Sequence, residues 1–228
     1  MILFPIGTLA GGTGTGTVES VLYSFFEPNK NCMSAPTHSI LTTRYKDQTL
    51  LTRKVADPYL TISYEYENIF SSEYTQLEHL LNSIDEGNTP IYTIDLSKGV
   101  VPSVIVTTST WTLGISNTRL YSATTNFKSN YIFFYNGNVW KIGTISSVSA
   151  NTSVTTNVDT NNFGTMTDTQ GAIVTGNNRV WIYPIYECYI NPGSISSFKV
   201  SGYWPNGDSN RGSLWSGSIN FSTKYKVD

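Results

Sequence analysis

Charge is what this 228-residue sequence has least of. Asp, Glu, Lys and Arg make up 13% of it, about half the usual share of a globular domain. Both signs are scattered, the net charge is −2, and no basic run occurs. The electrostatic footprint of a nucleic-acid binder is missing, so no nucleic-acid partner is expected. Long apolar runs are missing as well. None approaches the roughly 20 residues that a helix needs to cross a bilayer, and no membrane span is expected. The first residues lack a basic segment, and their apolar run breaks at Pro5 and Gly7. They do not read as a secretion signal, which points to a cytosolic chain or one assembled from the cytosol.

Residues that carry chemistry are scarce too. Two histidines, His38 and His79, and two cysteines, Cys32 and Cys188, lie far apart and show no metal-ligand spacing. One disulfide is allowed, although nothing requires it; two free, largely buried thiols are the expectation. No Gly-x-Ser-x-Gly elbow supports a hydrolytic triad. The string DTNN at 159–162 has oxygen ligands but lacks the glycine and distal glutamate of a calcium loop. Paired carboxylates, the signature of a glycosidase, occur as Asp85–Glu86 at a helix end and as Glu65 and Glu67 on a strand. The first pair reads as solvated charge. Glu65 and Glu67 share an outward face and repel mildly unless a partner covers them, which makes them candidate contact residues. No catalytic residue, metal ligand or cofactor is expected.

Glycine, by contrast, clusters in MILFPIGTLAGGTGTGTVES. A phosphate loop would need Gly-Lys-Ser or Gly-Lys-Thr, yet no lysine precedes Lys30. The dinucleotide fingerprint fails because Thr17 stands where its third glycine belongs. Val18 to Phe26 fits helical spacing but is rich in β-branched and aromatic residues. Gly11, Gly12, Gly14 and Gly16 therefore read as a flexible or extended segment that orders against a neighbour, and they are candidate contact residues.

Aromatics are plentiful at 13%, and most segments alternate with a period of two. Leu60, Ile62, Tyr64 and Tyr66 should face a core while Thr61, Ser63, Glu65 and Glu67 face water. Trp215, Gly217, Ile219, Phe221, Thr223, Tyr225 and Val227 should share one face of a long C-terminal strand. YIFFYNGNVWKI, at 131–142, predicts a hairpin with a type I′ turn at Asn136-Gly137. Further strands are expected at 40–45, 49–55, 90–95, 101–107, 119–125, 145–149, 171–175, 179–190 and 195–203. One helix is expected over 72–84, with Tyr74, Leu77, Leu80, Leu81 and Ile84 on one face, Ser71 or Ser72 as cap and Glu73 in the first turn. Of the 27 residues at 144–170, 12 are Ser or Thr and four are Asn. Such text cannot bury much alone, which suggests an exposed hairpin or a mobile loop.

The fold class is mainly β: an antiparallel sandwich or barrel-like domain with one helix and a hairpin-rich insertion. The division expected is 1–110 for a β-rich domain with the helix, 111–176 for the insertion, and 177–228 for long strands completing the main sheet. Trp140, Trp181 and Trp215 sit in strand alternations, where core packing is the default. Trp204, before Pro205 and the Asn206-Gly207 turn, is the candidate exposed contact.

Residues 38–95 carry a recognisable order. A strand with Thr-x-x-Tyr-Lys-Asp, a Thr-Arg-Lys strand, Pro58 and an alternating strand lead into a Ser-capped helix. Gly87, Pro90, Ile91, Tyr92 and Asp95 then form a Gly turn and a Pro-Ile-Tyr-x-x-Asp strand. This resembles the β-plus-one-helix modules of bacteriophage tail proteins, such as minor-tail and distal-tail components, with Ile91 where an aromatic is more usual. The resemblance covers about a quarter of the chain. It implies a non-enzymatic virion protein that assembles as a homo-oligomeric ring with other tail or neck proteins. The alternative is a β-sandwich module binding a carbohydrate or receptor, with Trp204 against a host surface glycan.

Overall fold

The computed structural model describes residues 2–4, 7–8, 15–17, 28–37, 40–44, 50–54, 59–82, 91–103, 105–107, 110–124, 128–135, 139–157, 180–203 and 212–224. In chain order the strands are β1 (Ile2–Phe4), β2 (Gly7–Thr8), β3 (Thr15–Thr17), β4 (Asn31–Thr37), β5 (Ile40–Arg44), β6 (Leu50–Lys54) and β7 (Tyr59–Phe70). Helix α1 (Ser71–Asn82) follows. Then come β8 (Ile91–Ile94), a 3₁₀ turn at Leu96–Lys98, β9 (Ile105–Thr107), β10 (Trp111–Gly114), β11 (Tyr131–Tyr135), β12 (Val139–Ser149) and β13 (Ser153–Asn157). The last elements are β14 (Trp181–Ile190), a 3₁₀ turn at Ile195–Ser197, β15 (Lys199–Tyr203) and β16 (Ser213–Thr223).

The protein is mainly β. Fourteen strands join one sheet, and β5 and β6 form a separate hairpin. The main path runs β2-β1-β8-β14-β11-β12-β13-β10-β9, and β4, β7, β16 and β15 branch from β14. Its named strand pairs are antiparallel apart from β1 beside β8. The sheet stays open and does not close into a barrel.

The branch lies in β14. One of its edges takes β8 along Ile185–Cys188 and continues with Val100, which exchanges both backbone hydrogen bonds with Ile182. The other edge takes β11 along Trp181–Ile185 and β16 along Cys188–Ile190. Pro184 fits inside this strand because its carbonyl accepts the Asp95 N–H at 2.9 Å, where no donor is asked of it. Each half of β14 thereby feeds its own core. Tyr186, Cys188 and Ile190 join Ile62, Tyr64, Ile91, Ile219 and Phe221. Ile182 joins Trp111, Leu113, Ile132, Phe134 and Val154.

Alternation orients β7 as its sequence dictates: Leu60, Ile62, Tyr64 and Tyr66 are buried. In β16, Ile219, Phe221 and Thr223 are buried, while Trp215 and Gly217 are half-buried beside a register shift opposite β7. Asn68 absorbs that irregularity with φ 56°, a left-handed conformation that asparagine tolerates. Helix α1 docks through buried Leu77 and through Tyr74, which stacks on Trp215 with centroids 4.1 Å apart. Its cap differs from expectation. Glu73 reaches back to accept the Phe70 N–H at 2.8 Å, and Ser71 donates instead to the Ser213 carbonyl across the sheet.

Other departures have local causes. The expected strand at 119–125 is a turn with one isolated bridge, Tyr121 to Ser129. There Asn117 accepts from Arg119 N and Ser122 from Thr124 N, and such short side-chain bonds compete with a ladder. The start of 195–203 is a 3₁₀ turn, and the strand begins at Lys199. The hairpin of β11 and β12 forms, but Tyr135 pairs with Trp140, so four residues separate the pair where a two-residue turn would leave two. The Ser/Thr-rich segment is not simply exposed. Its first part is the β12–β13 hairpin, and Ile145, Val154 and Thr156 are buried. Residues 158–170, the expected strand at 171–175 and the tip at 136–138 lie outside the described residues.

Candidate functional site

The most polar part of the interior lies where the two cores meet on β14. Asp95 ends β8 with no solvent exposure. Its Oδ1 accepts from the Ser97 N–H at 3.1 Å and the Ser97 hydroxyl at 2.6 Å, which starts the 3₁₀ turn. Ser34 on β4 lies 2.9 Å from that hydroxyl. Because Ser97 gives its proton to Asp95, Ser34 is the donor of this second bond, and a relay runs from β4 to the carboxylate. Asp95 Oδ2 has no hydrogen-bond partner. Burial raises the Asp95 pKa, against the opposing pull of the Ser97 and Ser34 hydroxyls and of Lys98.

The groups around Asp95 are held neutral. Burial, reinforced by the Asp95 charge, pushes the Cys32 thiol up to about 12. Burial raises the Cys188 thiol and the phenols of Tyr64, Tyr121 and Tyr186 as well. Tyr64 donates to the Ile94 carbonyl. The cysteines are free, as the sequence suggested. A nucleophilic thiol needs an electropositive, partly exposed setting; Cys188 is buried, Cys32 is half-buried, and the nearby Asp95 charge raises both. Among the described residues no group of three His, Cys, Asp or Glu side chains could hold a metal ion.

The surface offers a second kind of site. β15 pairs with β16 alone among the described strands, and it exposes Val200 (43%) and Tyr203 (77%). Met33 on β4, Val100 and Trp181 are also exposed. Trp181 corrects the expectation of core packing: it is 40% exposed at the first position of β14, while Ile185 on the same side of the strand is buried among Ile94, Phe133 and Ile142. Its ring lies 6.5 Å from that of Tyr183, with the planes 23° apart. Trp111, by contrast, is buried.

Of the residues singled out in the sequence, the described ones, Gly16, Glu65 and Glu67, lie in different strand contexts. Gly11, Gly12, Gly14 and Trp204 lie outside the described residues. Gly16 stands in β3, opposite Trp140 of β12. Glu65 is half-buried between Asn31 of β4 and Ser218 of β16. Glu67 is exposed and lies 3.7 Å from Lys30. Asn29 clasps the backbone there, accepting from the Glu67 N–H at 2.8 Å and donating to its carbonyl at 2.6 Å. In the sequence Asp95 is only the last residue of a strand pattern. Its burial depends on β4 and β14, 63 and 89 positions away, and no local signal announces it.

No protein-family model matches this sequence, and no curated protein matches it. No described helix is long and apolar enough to cross a membrane.

Proposed function

We propose that this chain is a non-enzymatic building block of a bacteriophage virion, a tail adaptor, distal-tail or tip component that acts by ring assembly with other tail proteins. The resemblance of residues 38–95 to tail modules motivates the reading. The observation that carries it is the margin at β15, which pairs with β16 alone among the described strands and exposes Val200 and Tyr203. Such an edge is a hazard for a lone subunit and an asset where subunits add edge to edge. Heterologous contacts of that kind close into rings. The raised thiols and the shielded carboxyl fit a role without catalysis. The native mass of the purified chain and electron microscopy of particles test this. A ring, or the chain found within tails, is the expected result; a strict monomer absent from particles would overturn it.

A carbohydrate- or receptor-binding module is the second reading, and the exposed Trp181 beside Tyr183 favours it. Near-parallel aromatic faces suit the apolar face of a sugar ring. A glycan array with the native chain, Trp181→Ala and Trp204→Ala separates the two readings. Saturable binding lost in either variant supports the second; no binding by the native chain removes it.

A further inference from the structure

Strand β4 is the weakest cover over Asp95. The other walls are held on both sides: β7 pairs with β4 and β16, β8 with β1 and β14, and β14 with β8, β11 and β16. β4 pairs only with β7 among the described strands, and its Pro36 gives no N–H to any ladder. Its outward residues Asn31, Met33, Ala35 and Pro36 are exposed, while Cys32 and Ser34 point toward Asp95. A carboxylate without solvent, and with one oxygen unpartnered, gains most from any opening that admits water. The least costly such opening is fraying of the edge strand.

We propose that β4 is a displaceable strand whose hold on β7 is set by the ionisation of Asp95. With the carboxyl neutral, β4 stays docked and the edge of β7 is covered. With the carboxylate charged, opening of β4 is favoured because it hydrates the charge, and the β7 edge from Tyr59 to Glu65 becomes available for pairing. The groups that face Asp95 are Cys32 from β4, Tyr64 from β7, Lys98 from the adjoining turn, Tyr186 and Cys188 from β14, and Tyr121 from the segment ahead of β11. Burial keeps the thiols and phenols among them uncharged across this range, and Lys98 opposes the effect by favouring the charged carboxylate. The burial-driven rise of the Asp95 pKa sets the direction.

Hydrogen exchange of the full chain from about pH 4 to 8, expressed as protection factors, tests this. The amides of 31–37 should lose protection severalfold as pH rises, while those of 181–190 keep theirs, and Asp95→Asn should abolish the change. Should Asp95→Asn fail to fold, Ser34→Ala serves, because it cuts the relay: β4 should then be less protected at acid pH, with a flatter profile. A pH profile for β4 that is the same in the native chain and in whichever variant folds would overturn the proposal. So would a loss of protection shared equally by β14.

Discussion

The hydroxyl of Ser129 accepts the Ile185 N–H at 2.8 Å and lies 2.7 Å from the Ile185 carbonyl and 2.5 Å from that of Tyr131. It stands where β11 has ended and β16 has not begun, and it serves in place of a strand. The same device recurs along β16, between its pairings with β15 and β14. Ser197 takes the Ser218 N–H at 3.0 Å and Ser194 takes that of Asn220 at 3.2 Å. Thr223 takes the Leu60 N–H at 3.0 Å. Backbone groups in a buried sheet must be paired, and at these four places hydroxyls pair them where a neighbouring strand does not.

Ser129→Ala should therefore cost about 1–3 kcal/mol, since it strands the buried Ile185 N–H without an acceptor. Urea denaturation measures it. A change of under a few tenths would mean that water replaces the hydroxyl.

Gly217 has no room for a side chain. A Cβ there would lie 2.6 Å from Phe198 Cγ and 2.8 Å from its Cα, so backbone as well as ring would have to move. Gly217→Ala should destabilise by about 1–3 kcal/mol. At Gly202 the nearest atom, Leu214 Cδ1, is 3.7 Å away, which is ordinary contact. Gly202→Ala should lie within about 0.5 kcal/mol of the native chain. Thermal melts of both variants check the order.

Asp95 sets a pH dependence of stability. Its folded pKa is raised, so its contribution is fully present below the ordinary carboxylate range and is lost as pH rises through the folded value. Asp95→Asn keeps an oxygen for Ser97 but carries no charge. It should gain on the native chain steadily as pH rises from about 4 toward neutrality. Denaturation curves at several pH values would show the gap widening; a constant gap would contradict the burial argument.

Cys32 and Cys188 should resist alkylation in the native state. With a pKa of about 12, Cys32 is thiolate in only about one molecule in ten thousand at pH 8. Labelling with iodoacetamide, followed by mass spectrometry, should be slower by orders of magnitude than in urea. Fast native labelling of Cys32 would show that β4 opens often.

Local pattern determined much of this protein. The alternation in 60–67 and 215–223 set which side chains face the core, because a strand's side chains alternate whatever its partners are. The helix was legible at 72–84 and is observed at Ser71–Asn82, because a 3.6-residue spacing of leucines has one reading. Tertiary structure alone decided which strands meet. The forking of β14, the exposure of Trp181 and the burial of Asp95 depend on partners about 30 to 100 residues away. It also decided what the serines do: a hydroxyl reads as surface in one dimension, and only the breaks in the ladder, visible in three, give it a buried partner.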